Sequence, residues 1–278
     1  MSYSHKEYSV TDKYFDYIKP ALTEVIRVSE EMSFDFIVVG ATARDFLIRC
    51  VFQANIALLA TKDIDFAIMI NDWERYEQIT QRMINEYGFI KTREKQKLKY
   101  QNIEVDIIPF GNISVGDYIY WPPEGLLRMS VKGFDEAYKT GITIKYDELR
   151  FRILSLLGLF ITKLIAWNER KDTKKTDAED IGTLLYNYNE FYPDDLYDNY
   201  SHLVNDANYN YRMAGVTILG KRLKSFLSKH PQLYSDILAI LHQEVKDEDD
   251  SKLAHFLGGS ESYETNLEVL KTLVKELS

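Results

Sequence analysis

Two aspartates separated by one isoleucine open an otherwise apolar run, Asp63-Ile64-Asp65-Phe66-Ala67-Ile68, and no other feature limits the chain as much. Side chains alternate across a strand with a period of two, so Asp63 and Asp65 share a face if the run is extended. A second short apolar run, Glu104-Val105-Asp106-Ile107-Ile108, carries a third aspartate in the same setting. Carboxylates beside core strands are costly unless a cation compensates them. Three that converge repel one another strongly, and a hard divalent cation between them relieves the repulsion. The competing reading is a structural salt-bridge network in which Arg or Lys supplies the compensating charge.

Upstream lies Ile37-Val38-Val39-Gly40-Ala41-Thr42-Ala43-Arg44-Asp45, an apolar strand, a glycine and then a helical pattern. A helix that begins directly after a strand presents unpaired N–H groups, which suit an anion. Gly40, Ala41 and Thr42 are the candidate phosphate-contacting residues, and Thr42 adds a hydroxyl. An ordinary strand–helix turn is the plain alternative. Arg44 and Asp45 read equally as an ion pair or as groups that place a nucleotide. With the three carboxylates, this turn predicts a nucleotidyl-transfer site. Asp63, Asp65 and Asp106 would hold one or two Mg²⁺ (or Mn²⁺) ions against an NTP.

The first half of the chain alternates helical and strand patterns. Helix is expected over residues 14–31, with Pro20 marking a kink or a late start. Short strands are expected at 34–39 and 64–70, with helix at 43–52. Asp72 caps a helix over 73–87 that Gly88 stops. A strand meander follows at 89–91, 97–100 and 103–109. Residues 111–150 read as irregular, apart from a short helix at 133–141 and a strand at 142–146. From Leu149 onward the pattern is helical, with helices expected at 151–170, 178–188, 194–205, 211–228, 232–246 and 263–277. The expected fold is therefore α+β: a small mixed sheet with helices over residues 1–148, followed by a helical bundle over 149–278.

Lys163 lies within the apolar run Ile153–Ala166, and Arg170 is seven residues on, on nearly the same helical face. A lysine so placed must snorkel or meet an anion, so both cations are candidates for triphosphate oxygens. Asp177 reads as an N-cap, and Asp180 as a partner for Arg170 or a lysine. The run Lys91 to Lys99 carries a positive charge at every second residue. Extended, all five would lie on one face and could track a phosphate backbone, unless the run is a solvated hairpin.

The formal net charge of −9 argues against a chain devoted to non-specific nucleic-acid binding. Tyrosines crowd residues 186–211, where no Lys or Arg follows position 186; this segment is either packing or an acidic partner surface. The five histidines show no ligand spacing, and no GxxxxGK[ST] occurs. The single cysteine, Cys50, rules out an internal disulfide. With a polar start lacking an apolar leader, it predicts a cytoplasmic protein. The run Ile153–Ala166 is too short and too charged to span a bilayer, so no membrane partner is expected.

Taken together, Gly40-Ala41-Thr42, Asp63-Ile64-Asp65 and Asp106 resemble the DNA polymerase beta-like nucleotidyltransferases. The nearer likeness is to their AbiEii-type branch, the toxin half of abortive-infection toxin–antitoxin pairs. That branch has a glycine turn, a T-x-D-I-D-F strand, a later acidic strand and a helical half with K-L-x-A-x-x-x-R…D-x-x-D. Lys163, Leu164, Ala166, Arg170, Asp177 and Asp180 match the last pattern. The spacing from Gly40 to Asp63 and the segment Ala43-Arg44-Asp45 also resemble the head of tRNA CCA-adding enzymes. The likeness covers roughly residues 35–185. The family's usual Gly-Ser or Gly-Gly is here Gly40-Ala41, so a serine hydroxyl to phosphate is missing. The resemblance implies transfer of a nucleoside monophosphate to an acceptor hydroxyl, with tRNA or another RNA as acceptor and a cognate antitoxin as partner. Two other readings stay open: a non-catalytic nucleotide- or protein-binding module of the same fold, and a small-molecule, aminoglycoside-type nucleotidyltransferase.

Overall fold

The structure is a computed structural model that describes residues 7–56, 63–123, 125, 127–207, 209–246, 248–258 and 261–278. Thr61 and Lys62, just before the aspartate strand, lie outside them. The fold is α+β, with a mixed sheet and a C-terminal helical region. Contacts divide the chain into residues 1–159 and 160–278.

The first unit contains β1 (Glu7–Val10), α1 (Lys19–Met32), β2 (Asp35–Val39), α2 (Gly40–Phe46), β3 (Asp63–Met69) and α3 (Trp73–Glu86). Then come β4 (Ile90–Lys91), β5 (Lys97–Tyr100), β6 (Ile103–Phe110), β7 (Tyr118–Tyr120), β8 (Arg128–Ser130), α4 (Phe134–Lys139), β9 (Ile142–Tyr146) and β10 (Leu149–Ile153). Eight strands form one sheet in the order β1-β9-β10-β2-β3-β6-β5-β4, and β7 and β8 form a separate pair. β3 lies inside the sheet, antiparallel to β2 and parallel to β6. Its two faces differ, as alternation requires: Ile64, Phe66 and Ile68 are buried, whereas Asp63 and Asp65 are only half-buried. Each fully buried Ile or Phe of this kind contributes about 1.5–3 kcal/mol of transfer free energy.

The helices flanking the sheet form for local reasons. α1 buries Ala21, Leu22, Val25 and Val28, a helical stripe, and Pro20 stands in its first turn, so the late start is the observed one. The Asp72 side chain accepts from Arg75 N at 2.8 Å and caps α3, which buries Tyr76, Ile79 and Met83.

The sequence reading needs four corrections here, and the first is that residues 111–150, expected to be irregular apart from one helix and one strand, also hold the paired strands β7 and β8. Residues 149–153 form strand β10, paired antiparallel with β9, instead of leading into the helix expected from Phe151. Phe151 and Ile153 are buried while Arg150 is exposed, which is strand alternation. β1, which pairs in parallel with β9, has no counterpart among the strands expected from the sequence. The helix expected at 43–52 begins at Gly40, and its second half, Leu47–Val51, is a π-helix.

In the second unit α5 (Leu156–Arg170) continues past the division, followed by α6 (Thr176–Tyr186), α7 (Tyr188–Phe191), α8 (Pro193–Asp198) and α9 (Ser201–Val204). α10 (Tyr211–Leu227), α11 (Pro231–Lys246), α12 (Lys252–Phe256) and α13 (Tyr263–Leu277) complete it. α6 passes so close to residue 257 that a Cβ at Gly182 would sit 1.5 Å from the Leu257 carbonyl oxygen. The tyrosine-rich segment serves two ends. Tyr188 is buried and donates to Asp195 at 3.2 Å, whereas Tyr197 is 59% exposed. No helix among the described residues is long and apolar enough to cross a membrane.

Candidate active site

Strand register brings the three predicted aspartates together. Asp65 pairs with Asp106 across the parallel β3–β6 ladder, and Asp63 pairs with Glu104. One carboxylate oxygen from each of Asp63, Asp65 and Asp106 lies within 4.8 Å of the others, the one such group of metal-ligating side chains among the described residues. Oδ1 of Asp106 is buried and has no hydrogen-bond partner. Three hard oxygen donors at this spacing, one of them buried and unsatisfied, fit a divalent cation such as Mg²⁺ or Mn²⁺. Burial pushes the Asp106 carboxyl up to about 6; Lys97 pulls it down and the Asp63 charge adds to the rise.

Gly40 follows β2 directly, and its neighbour Val39 pairs with Asp65. Its φ is +64°, and a Cβ built there would lie 2.0 Å from Asp65 Oδ2. Glycine is needed twice over, for the left-handed backbone and for the space the carboxylate fills. Ala41 is partly exposed in the first turn of α2. Thr42 is buried, and its hydroxyl donates to the Asp63 carbonyl at 3.0 Å. That proton ties the start of α2 to the start of β3. Arg44 and Asp45 form the ion pair, at 2.6 Å, with Asp45 fully buried.

Lys163 and Arg170 are partnered within their own unit. Lys163 Nζ lies 3.2 Å from Asp177 and 2.5 Å from Asp180, while Arg170 makes a two-pronged contact with Asp177 at 2.6 and 2.8 Å. Burial works against ionisation of Asp177, but the Arg170 hydrogen bond and the Lys163 charge hold its carboxyl below the usual carboxylate range. Asp177, read as an N-cap, instead anchors both cations.

The alternating cations of residues 91–99 do not share one extended face. A turn interrupts the run between β4 and β5. Lys95 donates to the Pro122 carbonyl at 2.5 Å, and Lys97 sits 2.6 Å from Glu104 and 3.9 Å from Asp106.

Three neighbours of the site escaped sequence reasoning. Lys97 faces Asp106 across the antiparallel β5–β6 ladder. Tyr76 donates its hydroxyl to the Ile107 carbonyl at 3.2 Å, tying α3 to β6 beside Asp106. The Tyr17 phenol is pushed up to about 12 by burial and by the nearby Tyr14, Asp45 and Asp63 charges. A signal for Lys97 did exist: the tight turn Gln101-Asn102 pairs Tyr100 with Ile103, and counting back pairs Lys97 with Asp106.

Several solved structures resemble the chain, two of them at low identity over most of their own length. One is the solution structure of the antibiotic-resistance factor ANT(2'')-Ia, at 12% identity and a TM-score of 0.36, over 60% of this chain and 82% of that one. The other is the crystal structure of an antigenic nucleotidyltransferase-like protein from Paracoccidioides brasiliensis, at 14% identity and a TM-score of 0.40, over 80% of this chain and 92% of that one. At such values neither decides the chemistry of this chain. No family model and no curated protein matches it.

Proposed function

We propose that the chain is a metal-dependent nucleotidyltransferase that moves a nucleoside monophosphate from an NTP to an acceptor hydroxyl. The observation that carries this is the convergence of Asp63, Asp65 and Asp106 with a buried, unsatisfied oxygen on Asp106. In the reaction the acceptor oxygen bonds to the α-phosphorus, the bond from that phosphorus to the β-bridging oxygen breaks, and pyrophosphate leaves. Asp63, Asp65 and Asp106 would hold Mg²⁺ or Mn²⁺, which supplies charge neutralisation for the attacking and leaving oxygens. Asp106 would lie beside the acceptor hydroxyl and help it lose its proton as the bond to phosphorus forms. Gly40 leaves room for the Asp65 carboxylate, and Thr42 fixes the strand end that carries Asp63. Lys163 and Arg170 lend this reading no support, since Asp177 engages both and Asp180 also engages Lys163.

An RNA acceptor, and with it a toxin role under a cognate antitoxin, is the finer form of the proposal. The interrupted Lys91–Lys99 run no longer argues for it. The net charge of −9 suits a cationic small acceptor. Incubation with each α-labelled NTP and Mg²⁺, offering total RNA, total protein and an aminoglycoside in parallel, separates these acceptors. Label on one acceptor, lost in Asp63→Ala/Asp65→Ala, is the expected result. No label on any of them, together with no Mg²⁺-dependent NTP binding, would replace the enzyme with a non-catalytic binding module.

A further inference from the structure

Six charged side chains share one face of three neighbouring strands: Asp63 and Asp65 on β3, Glu104 and Asp106 on β6, and Lys97 and Lys99 on β5. Register aligns Lys97, Asp106 and Asp65 in one row across the sheet and Lys99, Glu104 and Asp63 in the next. The two lysines are not equivalent. Lys99 is exposed, whereas the Lys97 side chain retains only 14% exposure and ends among three carboxylates, with Glu94 the farthest at 4.0 Å. It contacts Glu104 at 2.6 Å and stands 3.9 Å from Asp106 Oδ1, too far for a hydrogen bond and close enough to feel its charge. That same Asp106 oxygen is the buried, unsatisfied one. A fixed positive charge therefore stands at the edge of the carboxylate cluster, and a side chain outside the cluster holds it there.

We propose that Lys97 is a positioning residue that weakens cation binding at Asp63, Asp65 and Asp106, and that Glu104 limits this by keeping the lysine off Asp106. This rests on the reading of those three carboxylates as a metal site. An ammonium about 4 Å from a ligand oxygen repels a bound divalent ion through the same partly buried medium that strengthens the ion's own attraction. A triphosphate brings negative charge of its own, which offsets that repulsion, so occupancy of the Asp106 side becomes linked to nucleotide arrival. Without Glu104, the Lys97 ammonium would close on Asp106 and compete for the oxygen the cation needs.

Mn²⁺ titration of the full chain without nucleotide, with free Mn²⁺ read by electron paramagnetic resonance, tests this. Lys97→Met should bind Mn²⁺ roughly tenfold more tightly than the wild type. Lys97→Arg should restore wild-type affinity. Glu104→Gln should bind more weakly, and that loss should vanish in Lys97→Met/Glu104→Gln, because Glu104 acts through the lysine. Thermal unfolding in EDTA checks that each variant is folded, and Lys97→Gln replaces the methionine variant if that one is not. Unchanged or weaker binding by folded Lys97→Met overturns the inference while leaving the metal site standing. A Glu104→Gln loss that persists in the double variant shows that Glu104 acts on its own and overturns its assigned role. A wild type that binds Mn²⁺ no better than Asp63→Ala/Asp65→Ala overturns the metal site and the inference with it.

Discussion

A Cβ on Gly40 would come within 2.0 Å of the Asp65 carboxylate oxygen, so the space between them holds a glycine beside the aspartate and no larger residue. Gly40→Ala must both adopt a left-handed backbone and displace Asp65. It is expected to lose about 1–3 kcal/mol of stability and most of its Mn²⁺ affinity. Urea unfolding and Mn²⁺ titration check the two effects, and wild-type values in both would show that the turn relaxes without cost.

The burial of Asp106 has a pH signature. Its carboxyl is raised from 3.8 to about 6, so between those values the native chain holds a proton that the unfolded chain has released. Stability contributed by this group is therefore present at the acid end of the window and lost as pH rises through it. Asp106→Asn never ionises, so in EDTA at pH 7.5 it should be more stable than the wild type by roughly 1–3 kcal/mol, with the gain shrinking at pH 4.5. It should also lose Mn²⁺ binding and transfer. Denaturant midpoints at the two pH values check the sign, and a variant less stable at pH 7.5 would mean that the charged form is favoured in the fold.

Thr42 spends its hydroxyl proton on the Asp63 carbonyl. Thr42→Val keeps the shape and removes that donor, at a cost of about 0.5–1.5 kcal/mol, and Thr42→Ser should recover most of it. Equal unfolding midpoints for the valine variant and the wild type would show that the bond contributes nothing.

Asp177 is fully buried between Lys163 and Arg170. Asp177→Asn leaves these cations without their shared counter-charge and should destabilise the chain by about 3–5 kcal/mol at pH 7. Because the Asp177 carboxyl is held below its ordinary value, its contribution is present above the unfolded pKa and disappears as pH falls through the folded one. The difference between variant and wild type should therefore narrow towards pH 3 in thermal unfolding, and a constant difference would assign it to shape and not to charge.

The aspartate cluster was legible because each member sits in a short run whose alternation is local. Ile64 and Phe66 point into the core, and Asp63 and Asp65 follow on the other face from the period of two alone. The meeting of Asp65 with Asp106 is a parallel pairing across α3, so the sequence supplies the candidates and only the register supplies the contact. Lys97 stands in the sequence as one of five alternating cations because the turn before β5 leaves little mark in a string of charged residues. β10 was hidden by its neighbours. Leu149-Arg150-Phe151-Arg152-Ile153 alternates cleanly, but the long apolar helix that begins at Leu156 draws the reading forward. β1 pairs with β9, far along the chain, and nothing in Glu7–Val10 foretells so distant a partner.

The main sheet has two ends, β1 with four residues and β4 with two. An edge strand is where another extended chain can dock, because its outward N–H and C=O groups lack partners. At β4 the invitation is one dipeptide long and carries Lys91. Among the described residues, the β4 margin of this eight-stranded sheet gives an incoming strand almost no ladder to climb, so that end is a poor template for the addition of another chain.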